Sequence, residues 1–137
     1  MFLLDTNVVS ELRRPKPHAG VVAWLQSVDD SRLHLSAVTV GEIQVGIERT
    51  RVQDAAKAED LSCWLDAVQN AYNVLPMHGR AFRLWAQLIH GRSDTLNKDA
   101  MIAATAKLSQ LIMVTRNVSD FVQFDVQILN PFTPAPP

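Results

Sequence analysis

The chain opens with Met1-Phe2-Leu3-Leu4-Asp5-Thr6-Asn7-Val8-Val9-Ser10-Glu11, and this stretch is the strongest indication of the fold class. Residues 2–4 are an apolar run too short for a helix, and a polar Asp-Thr-Asn segment follows at once, so we predict a buried strand. Thr6 or Asn7 is expected to cap the following helix, which should continue to about Arg13. The chain therefore begins with a strand, a carboxylate at the end of that strand and a helix.

Strands and helices are expected to alternate along the rest of the chain. Short apolar runs predict strands at residues 32–35, 73–76, 111–114 and 126–129. Apolar residues at helical spacing predict helices around residues 21–28, 53–71, 81–89 and 99–108, and a short helix is expected to carry Glu42. Residues 91–97 should form a polar loop. This alternation is typical of an α/β fold with a parallel sheet and helices on both faces.

The composition indicates one compact domain. The chain has 137 residues, of which 47% are hydrophobic and 20% charged, so residues 1–130 are expected to form a single domain, followed by a proline-rich tail over residues 131–137. Cys63 is the single cysteine, which excludes a disulfide within the chain and favours a reducing compartment. We find no signal-peptide pattern and no apolar run of about 20 residues, so a cytoplasmic protein is expected.

Four carboxylates lie where apolar strands give way to polar turns or helices. Asp5 ends the first strand and Asp120 follows the strand at residues 111–114. Because α/β folds bind ligands at the carboxyl ends of their strands, these two acids should lie close together. Glu42 and Asp99 lie near the starts of helices and are not placed by this argument. Each acid also has a simpler interpretation as a helix cap, a solvated surface group, a dipole-stabilised charge or a turn residue.

If the four acids share one pocket, they can bind a cation together. Like charges brought together raise one another's pKa values, and a bound cation relieves that repulsion. Carboxylate oxygens are the ligands that Mg²⁺ or Mn²⁺ prefers, so a metal-dependent attack of water on a phosphodiester is the expected chemistry. The candidate metal-binding and catalytic residues are Asp5, Glu42, Asp99 and Asp120, and the polar residues expected to orient them are Thr6, Asn7, Thr115 and Asn117.

The sequence lacks the motifs that are typical of zinc sites, phosphate-binding loops and serine nucleophiles. The four histidines are scattered and Cys63 stands alone, so no zinc spacing is present. The chain has no Gly-rich phosphate loop and no Gly-x-Ser-x-Gly nucleophile turn. Three tryptophans lie on predicted helices and are interpreted as core or interface packing; they are Trp24, Trp64 and Trp85.

The charge balance leaves two interpretations open. The formal net charge is −1, but setting the four candidate carboxylates aside leaves ten acids against thirteen Lys and Arg, a balance of +3. Two local basic patches could guide a phosphate backbone or could simply solvate helix faces. The first contains Arg13, Arg14 and Lys16, and the second Arg49, Arg51 and Lys57.

Four acidic motifs and a closing Ile-Leu-Asn-Pro together span nearly the whole chain. The acidic motifs are Leu-Asp5-Thr-Asn-Val-Val-Ser-Glu, Leu-Ser-Ala-Val-Thr-Val-Gly-Glu42, Asp99-Ala-Met-Ile-Ala-Ala-Thr-Ala and Thr-Arg-Asn-Val-Ser-Asp120-Phe. Taken in order, these motifs resemble those of PIN-domain ribonucleases, and more closely the VapC-type toxins of bacterial toxin–antitoxin pairs.

The resemblance implies a three-layer α/β/α PIN-like fold with a short parallel sheet flanked by helices. It also implies a metal-dependent endoribonuclease that uses Mg²⁺ or Mn²⁺ at the four acids, with Thr115 and Asn117 supporting the site and Thr6 or Asn7 doing likewise. The implied partners are an RNA substrate, a second copy of the chain in a homodimer, and a VapB-type antitoxin whose C-terminal segment covers the active site. DNA would be contacted only through the antitoxin.

The sequence leaves two alternative functions open. The first is an Mg²⁺-dependent phosphatase with an acidic site, although such enzymes usually carry an Asp-x-Asp pair after the first strand and residue 7 here is Asn. The second is a non-catalytic PIN-like module that only binds a partner. A cluster of four acids argues against this second alternative, because a scaffold gains little from gathering like charge.

Overall fold

The computed structural model describes residues 1–132, and within this range strands alternate with helices. The strands are β1 (Phe2–Leu4), β2 (Leu33–Ser36), β3 (Asn73–Leu75), β4 (Ile112–Val114) and β5 (Ile128–Leu129). The helices are α1 (Thr6–Glu11), α2 (Ala19–Gln26), α3 (Ala37–Gln53), α4 (Ala55–Ala71), α5 (Gly79–Ile89), α6 (Asn97–Leu108) and α7 (Val118–Val122).

The strands form one parallel sheet in the order β3-β2-β1-β4-β5, which confirms the predicted parallel α/β fold. Leu4, the last residue of β1, pairs with Leu35 of β2 and with Val114 of β4. The residues that follow these three strands therefore meet at one edge of the sheet. The chain first builds outward from β1 through β2 to β3 and then returns to β4 on the other side, so a topological switch point lies beside Asp5.

Helices cover both faces of the sheet, because neighbouring side chains of a strand point to opposite sides. Phe2 and Leu4 join a buried cluster with side chains of α1, α2 and α4, whereas Leu3 joins a second cluster with side chains of α6 and α7. Helix α5 packs on α6. The expected three-layer α/β/α arrangement is therefore present. The tryptophans pack against these clusters, as predicted for Trp24, Trp64 and Trp85.

The helix that carries Glu42 is longer than the sequence predicted. Helix α3 spans 17 residues rather than a short stretch. It is extended because Ile43 and Ile47 pack against Leu61 and Leu65 of α4, and this tertiary contact outweighs the low helix propensity of the glycines in α3. Glu42 therefore sits on a long, supported helix.

Three local predictions need correction. Asp5, and not Thr6 or Asn7, is the cap of α1, because its carboxylate accepts the Thr6 N–H. Helix α6 begins two residues before Asp99, after a 3₁₀ turn at Asp94–Leu96 inside the predicted loop. Helix α7 was not predicted, since five residues are too few to show a helical period.

The last described residues, Pro131 and Phe132, pack against the start of α2. Pro131 is buried, and the Phe132 ring lies 5.3 Å from the His18 ring between centroids. Gly20 permits this path, because a Cβ at that position would lie 2.7 Å from the Pro131 carbonyl oxygen. Most of the expected proline-rich tail, residues 133–137, falls outside the described residues. Across residues 1–132, none of the helices combines the length and apolar character that crossing a bilayer requires.

Candidate active site

Asp5 is the most buried carboxylate of the predicted set, with 4% of its surface exposed. Its backbone N–H donates to the Val114 carbonyl at 2.9 Å, which ties the end of β1 to the end of β4. One carboxylate oxygen accepts the Thr6 N–H at 2.8 Å. The other accepts the Thr115 hydroxyl at 2.7 Å and the Asn7 amide at 3.1 Å. These three donors fix the orientation of Asp5 at the switch point of the sheet.

Asn7 and Thr115 form a small network that extends this support. The Asn7 amide donates to the Thr115 hydroxyl at 3.3 Å, and the Asn7 side-chain oxygen accepts the Arg116 N–H at 3.2 Å. The Asn117 backbone N–H donates to the Thr115 hydroxyl at 2.9 Å. Asn117, whose side chain is exposed, thus contributes to the network through its backbone. Thr115 is fully buried and is the residue that joins these groups.

Glu42 reaches the same region from α3. The Thr6 hydroxyl donates to the hydroxyl of buried Thr39 at 3.1 Å, which links α1 to α3 one turn before Glu42. The pKa of Glu42 is raised chiefly because the side chain is half-buried. The nearby Lys98 ammonium lowers this pKa, the negative charge of Asp5 raises it, and the Thr6 hydroxyl lowers it. Glu42 is therefore within electrostatic reach of both Asp5 and Lys98.

Asp99 interacts electrostatically with the other three predicted acids. Burial first, and then the charges of Asp5, Asp120 and Glu42, raise the pKa of Asp99 to about 6. Burial also raises the pKa of Asp5, and the Asp120 charge adds to that effect, although the three hydrogen bonds to Asp5 oppose it. Asp99 lies in the first turn of α6, and Asp120 lies in the first turn of the short helix α7. The fold therefore places Asp5, Glu42 and Asp120 within electrostatic range of Asp99, although the four acids are far apart in sequence.

The four acids form an interacting cluster and not a finished coordination shell. Among residues 1–132, no three Asp, Glu, His or Cys side chains are arranged tightly enough to hold a metal ion as they stand. The donor set nevertheless suits a hard cation, because every candidate ligand is a carboxylate. An ionised carboxylate offers about four acceptor positions, and Asp5 uses three, so Asp5 retains capacity for one more partner.

Three residues beside the acids were not predicted from the sequence. Thr39 could have been found from its position three residues before Glu42, which places it on the same side of a helix. Lys98 directly precedes Asp99, but its closeness to Glu42 depends on how α3 and α6 pack. Arg116 lies between Thr115 and Asn117, and no sequence pattern indicated that its backbone N–H would bond to Asn7.

Comparison with known proteins shows similarity over nearly the whole chain. Residues 2–126 match the PIN domain family. The chain is 33% identical to toxin FitB of Neisseria gonorrhoeae, over 96% of this chain and 99% of that one. It is 35% identical to VapC ribonuclease Y4jK of Sinorhizobium fredii, over 98% of this chain and all of the other.

A solved structure extends this similarity to three dimensions. The crystal structure of FitAcB from Neisseria gonorrhoeae superposes with a TM-score of 0.85 at 35% identity, covering 96% of this chain and 99% of that chain. The family match, the identities and the shared architecture all extend over nearly the full length. The chain therefore belongs to the PIN-domain family and, within that family, to the VapC-type proteins.

Proposed function

We propose that the protein is a metal-dependent endoribonuclease that hydrolyses RNA phosphodiester bonds and acts as the toxin of a type II toxin–antitoxin pair. The observation that carries this proposal is the interaction of Asp99 with three other carboxylates, Asp5, Glu42 and Asp120. The sequence relatives named as a ribonuclease and as a toxin support the same activity and role. A cytoplasmic location, where RNA is available, is part of this proposal.

The cofactor is proposed to be Mg²⁺ or Mn²⁺, held by Asp5, Glu42, Asp99 and Asp120. Carboxylates that raise one another's pKa bind a divalent cation at the expense of bound protons, which favours a metal at neutral pH. When bound, the cation would supply positive charge that stabilises the phosphodiester oxygens as a phosphorus–oxygen bond breaks.

The neighbouring residues have supporting roles in this proposal. Thr115, Asn7 and the Thr6 N–H hold the Asp5 carboxylate in one orientation. The bond between the Thr6 and Thr39 hydroxyls keeps the start of α1 fixed against the helix that presents Glu42. Such surrounding hydrogen bonds matter because a carboxylate that changes orientation loses its alignment with a cation and a substrate.

The test is RNA cleavage by purified Asp5→Asn and Asp99→Asn variants in the presence of Mg²⁺ or Mn²⁺. Each variant should keep the fold and lose at least about 100-fold of the activity, which exceeds the loss expected for a supporting residue. Asp66→Asn is the matched control, because Asp66 is an exposed acid of α4, and it should retain activity. Full ribonuclease activity in either active-site variant, free of contaminating nuclease, would contradict the proposal.

The partners are proposed to be a second copy of the chain and a VapB-type antitoxin. The relative FitB is named a toxin, and a cell that makes a toxin must restrain it. An antitoxin arginine placed among the four acids would take the position of a cation through charge-assisted hydrogen bonds. Val45 and Val52 of α3 are 47% and 88% exposed, and such apolar exposure supports a protein interface. DNA would be bound through the antitoxin and not by this chain.

No observation favours the phosphatase alternative. Asn7 occupies the position at which a second nucleophilic carboxylate would be expected, and its amide donates to Asp5 and to Thr115. An ionised aspartate at that position could not donate these hydrogen bonds and would repel Asp5.

A further inference from the structure

A basic groove lies beside the acidic cluster. Its volume is about 580 Å³, and its cations come from the turn after α1, from the start of α4 and from the loop after β4. One carboxylate, Glu11, is also among the lining residues. The cations are Arg13, Arg14, Lys57 and Arg116.

The groove leads directly to the proposed active site. A smaller cavity of about 200 Å³, lined by Thr6 and Glu42, shares Ser10, Arg13 and Leu61 with the groove. The groove is also lined by Asn7, whose amide donates to Asp5. The basic groove therefore adjoins residues that contact Asp5 and the cavity that Glu42 lines.

Most of this positive charge is available to a ligand. The Glu11 carboxylate is occupied by the Arg14 guanidinium at 3.3 Å and by the His18 N–H at 2.8 Å. Within residues 1–132, Arg13, Lys57 and Arg116 form no ion pair. The Arg116 guanidinium carbon lies 3.9 Å from the centroid of the Phe132 ring, which restricts its motion at the edge of the groove.

The three residues of the second basic patch, Arg49, Arg51 and Lys57, have different surroundings in the structure. Lys57 lines the groove together with Arg13, but Arg51 is paired with Glu48 at 3.0 Å and also lies 3.9 Å from Glu59. Arg49 lines a different, exposed apolar surface of α3. Cations from distant parts of the chain thus line one groove, an arrangement that neither sequence patch described.

We propose that this groove binds the phosphate backbone of the RNA strand on one side of the cleaved bond, with Arg13, Lys57 and Arg116 contacting phosphates. The inference rests on the proposed ribonuclease function. A polyanion approaching four carboxylates is repelled, and unpaired cations beside those carboxylates offset the repulsion and fix the path of the strand. Phosphate oxygens also match the forked donors of the two arginines.

The test measures how the affinity for a single-stranded RNA oligonucleotide depends on salt, in EDTA so that no cleavage occurs. The variant is Arg13→Gln/Lys57→Gln. Each phosphate contact contributes about 0.7 to the slope of log affinity against log salt for a single strand, so the slope should become shallower by about 1.4. Arg116→Gln alone should make it shallower by about 0.7.

The matched control is Arg80→Gln/Arg83→Gln, which makes the same change in net charge. These arginines share a cavity with Leu108, at the opposite end of α6 from Asp99, so the slope should equal that of the wild type. An equal decrease in the control would show a general effect of net charge and would overturn the groove assignment.

Further outcomes separate this inference from the function on which it rests. If the wild type cleaves RNA with Mg²⁺ but the groove variants keep its affinity and slope, the groove assignment is wrong and the ribonuclease function stands. If the wild type neither binds nor cleaves RNA, the proposed function itself fails. If the groove variants lose binding to a poly-glutamate peptide while the RNA slope is unchanged, the groove binds an acidic protein segment, which also overturns the inference.

Discussion

Thr115 is the residue on which the order of the proposed site most depends, since it serves both Asp5 and the backbone of Asn117 while fully buried. We expect Thr115→Val to lower the free energy of unfolding by about 1–3 kcal/mol, because the partners lose a hydroxyl and gain no replacement. RNA cleavage should fall by about 10–100-fold, the range found when a group that orients a metal ligand is removed. Urea unfolding and a cleavage assay measure the two effects.

Thr105→Val is the matched control for Thr115→Val. Thr105 is also buried, but its hydroxyl donates to the Met101 carbonyl within α6 and contacts no acid of the site. The control should retain activity. Equal losses of activity in the two variants would contradict the role given to Thr115.

The raised pKa of Asp99 gives the metal-free protein a specific dependence on pH. Because the folded-state pKa is about 6 and the ordinary value is 3.8, the folded protein holds a proton that the unfolded chain has released within this window. Stability should therefore fall as the pH rises from about 4 to about 6, and Asp99→Asn should remove this part of the fall. Thermal unfolding in EDTA across this range measures it, and a variant with the same profile as the wild type would contradict the assignment.

At the scale of secondary-structure elements, the strands were predicted well because most of them are short, largely apolar runs beside a polar turn. β1 and Asp5 are the clearest case. The short helix α7 and the full length of α3 could not be predicted from periodicity. The first has too few residues to show a period, and the second depends on its contacts with α4. The cap of α1 was misassigned because three consecutive residues, Asp5, Thr6 and Asn7, are all suitable for that position.

Two glycines in helices should respond in opposite ways to the same substitution. Gly41 lies inside α3 and a Cβ there would meet open space, so Gly41→Ala should stabilise the fold by about 0.5–1 kcal/mol. A Cβ on Gly20 would lie 2.7 Å from the Pro131 carbonyl, so Gly20→Ala should destabilise it by about 1–3 kcal/mol. Urea unfolding of both variants tests this; a stabilising Gly20→Ala would show that Pro131 does not pack as described.

At the scale of the whole molecule, the site depends on a topology that the sequence revealed only in part. The switch point of a parallel sheet was sufficient to predict that Asp5 lies near residues 115–120. The positions of Glu42 and Asp99 were implied by family resemblance. Helical periodicity identifies the buried face of a helix but not where its first turns lie relative to the sheet. Lys98 near Glu42 illustrates the same limit, because helix packing brings the two together.

The most direct test is a calorimetric titration of the purified, metal-free protein with Mn²⁺ at pH 7, with Asp99→Asn and the exposed-acid control Asp66→Asn measured alongside. If Asp5, Glu42, Asp99 and Asp120 form one cation site, the wild type and Asp66→Asn should bind Mn²⁺ saturably, and Asp99→Asn should bind it far more weakly. A wild type that shows no binding at millimolar Mn²⁺, or an Asp99→Asn variant that binds as tightly as the wild type, would contradict the existence of that site.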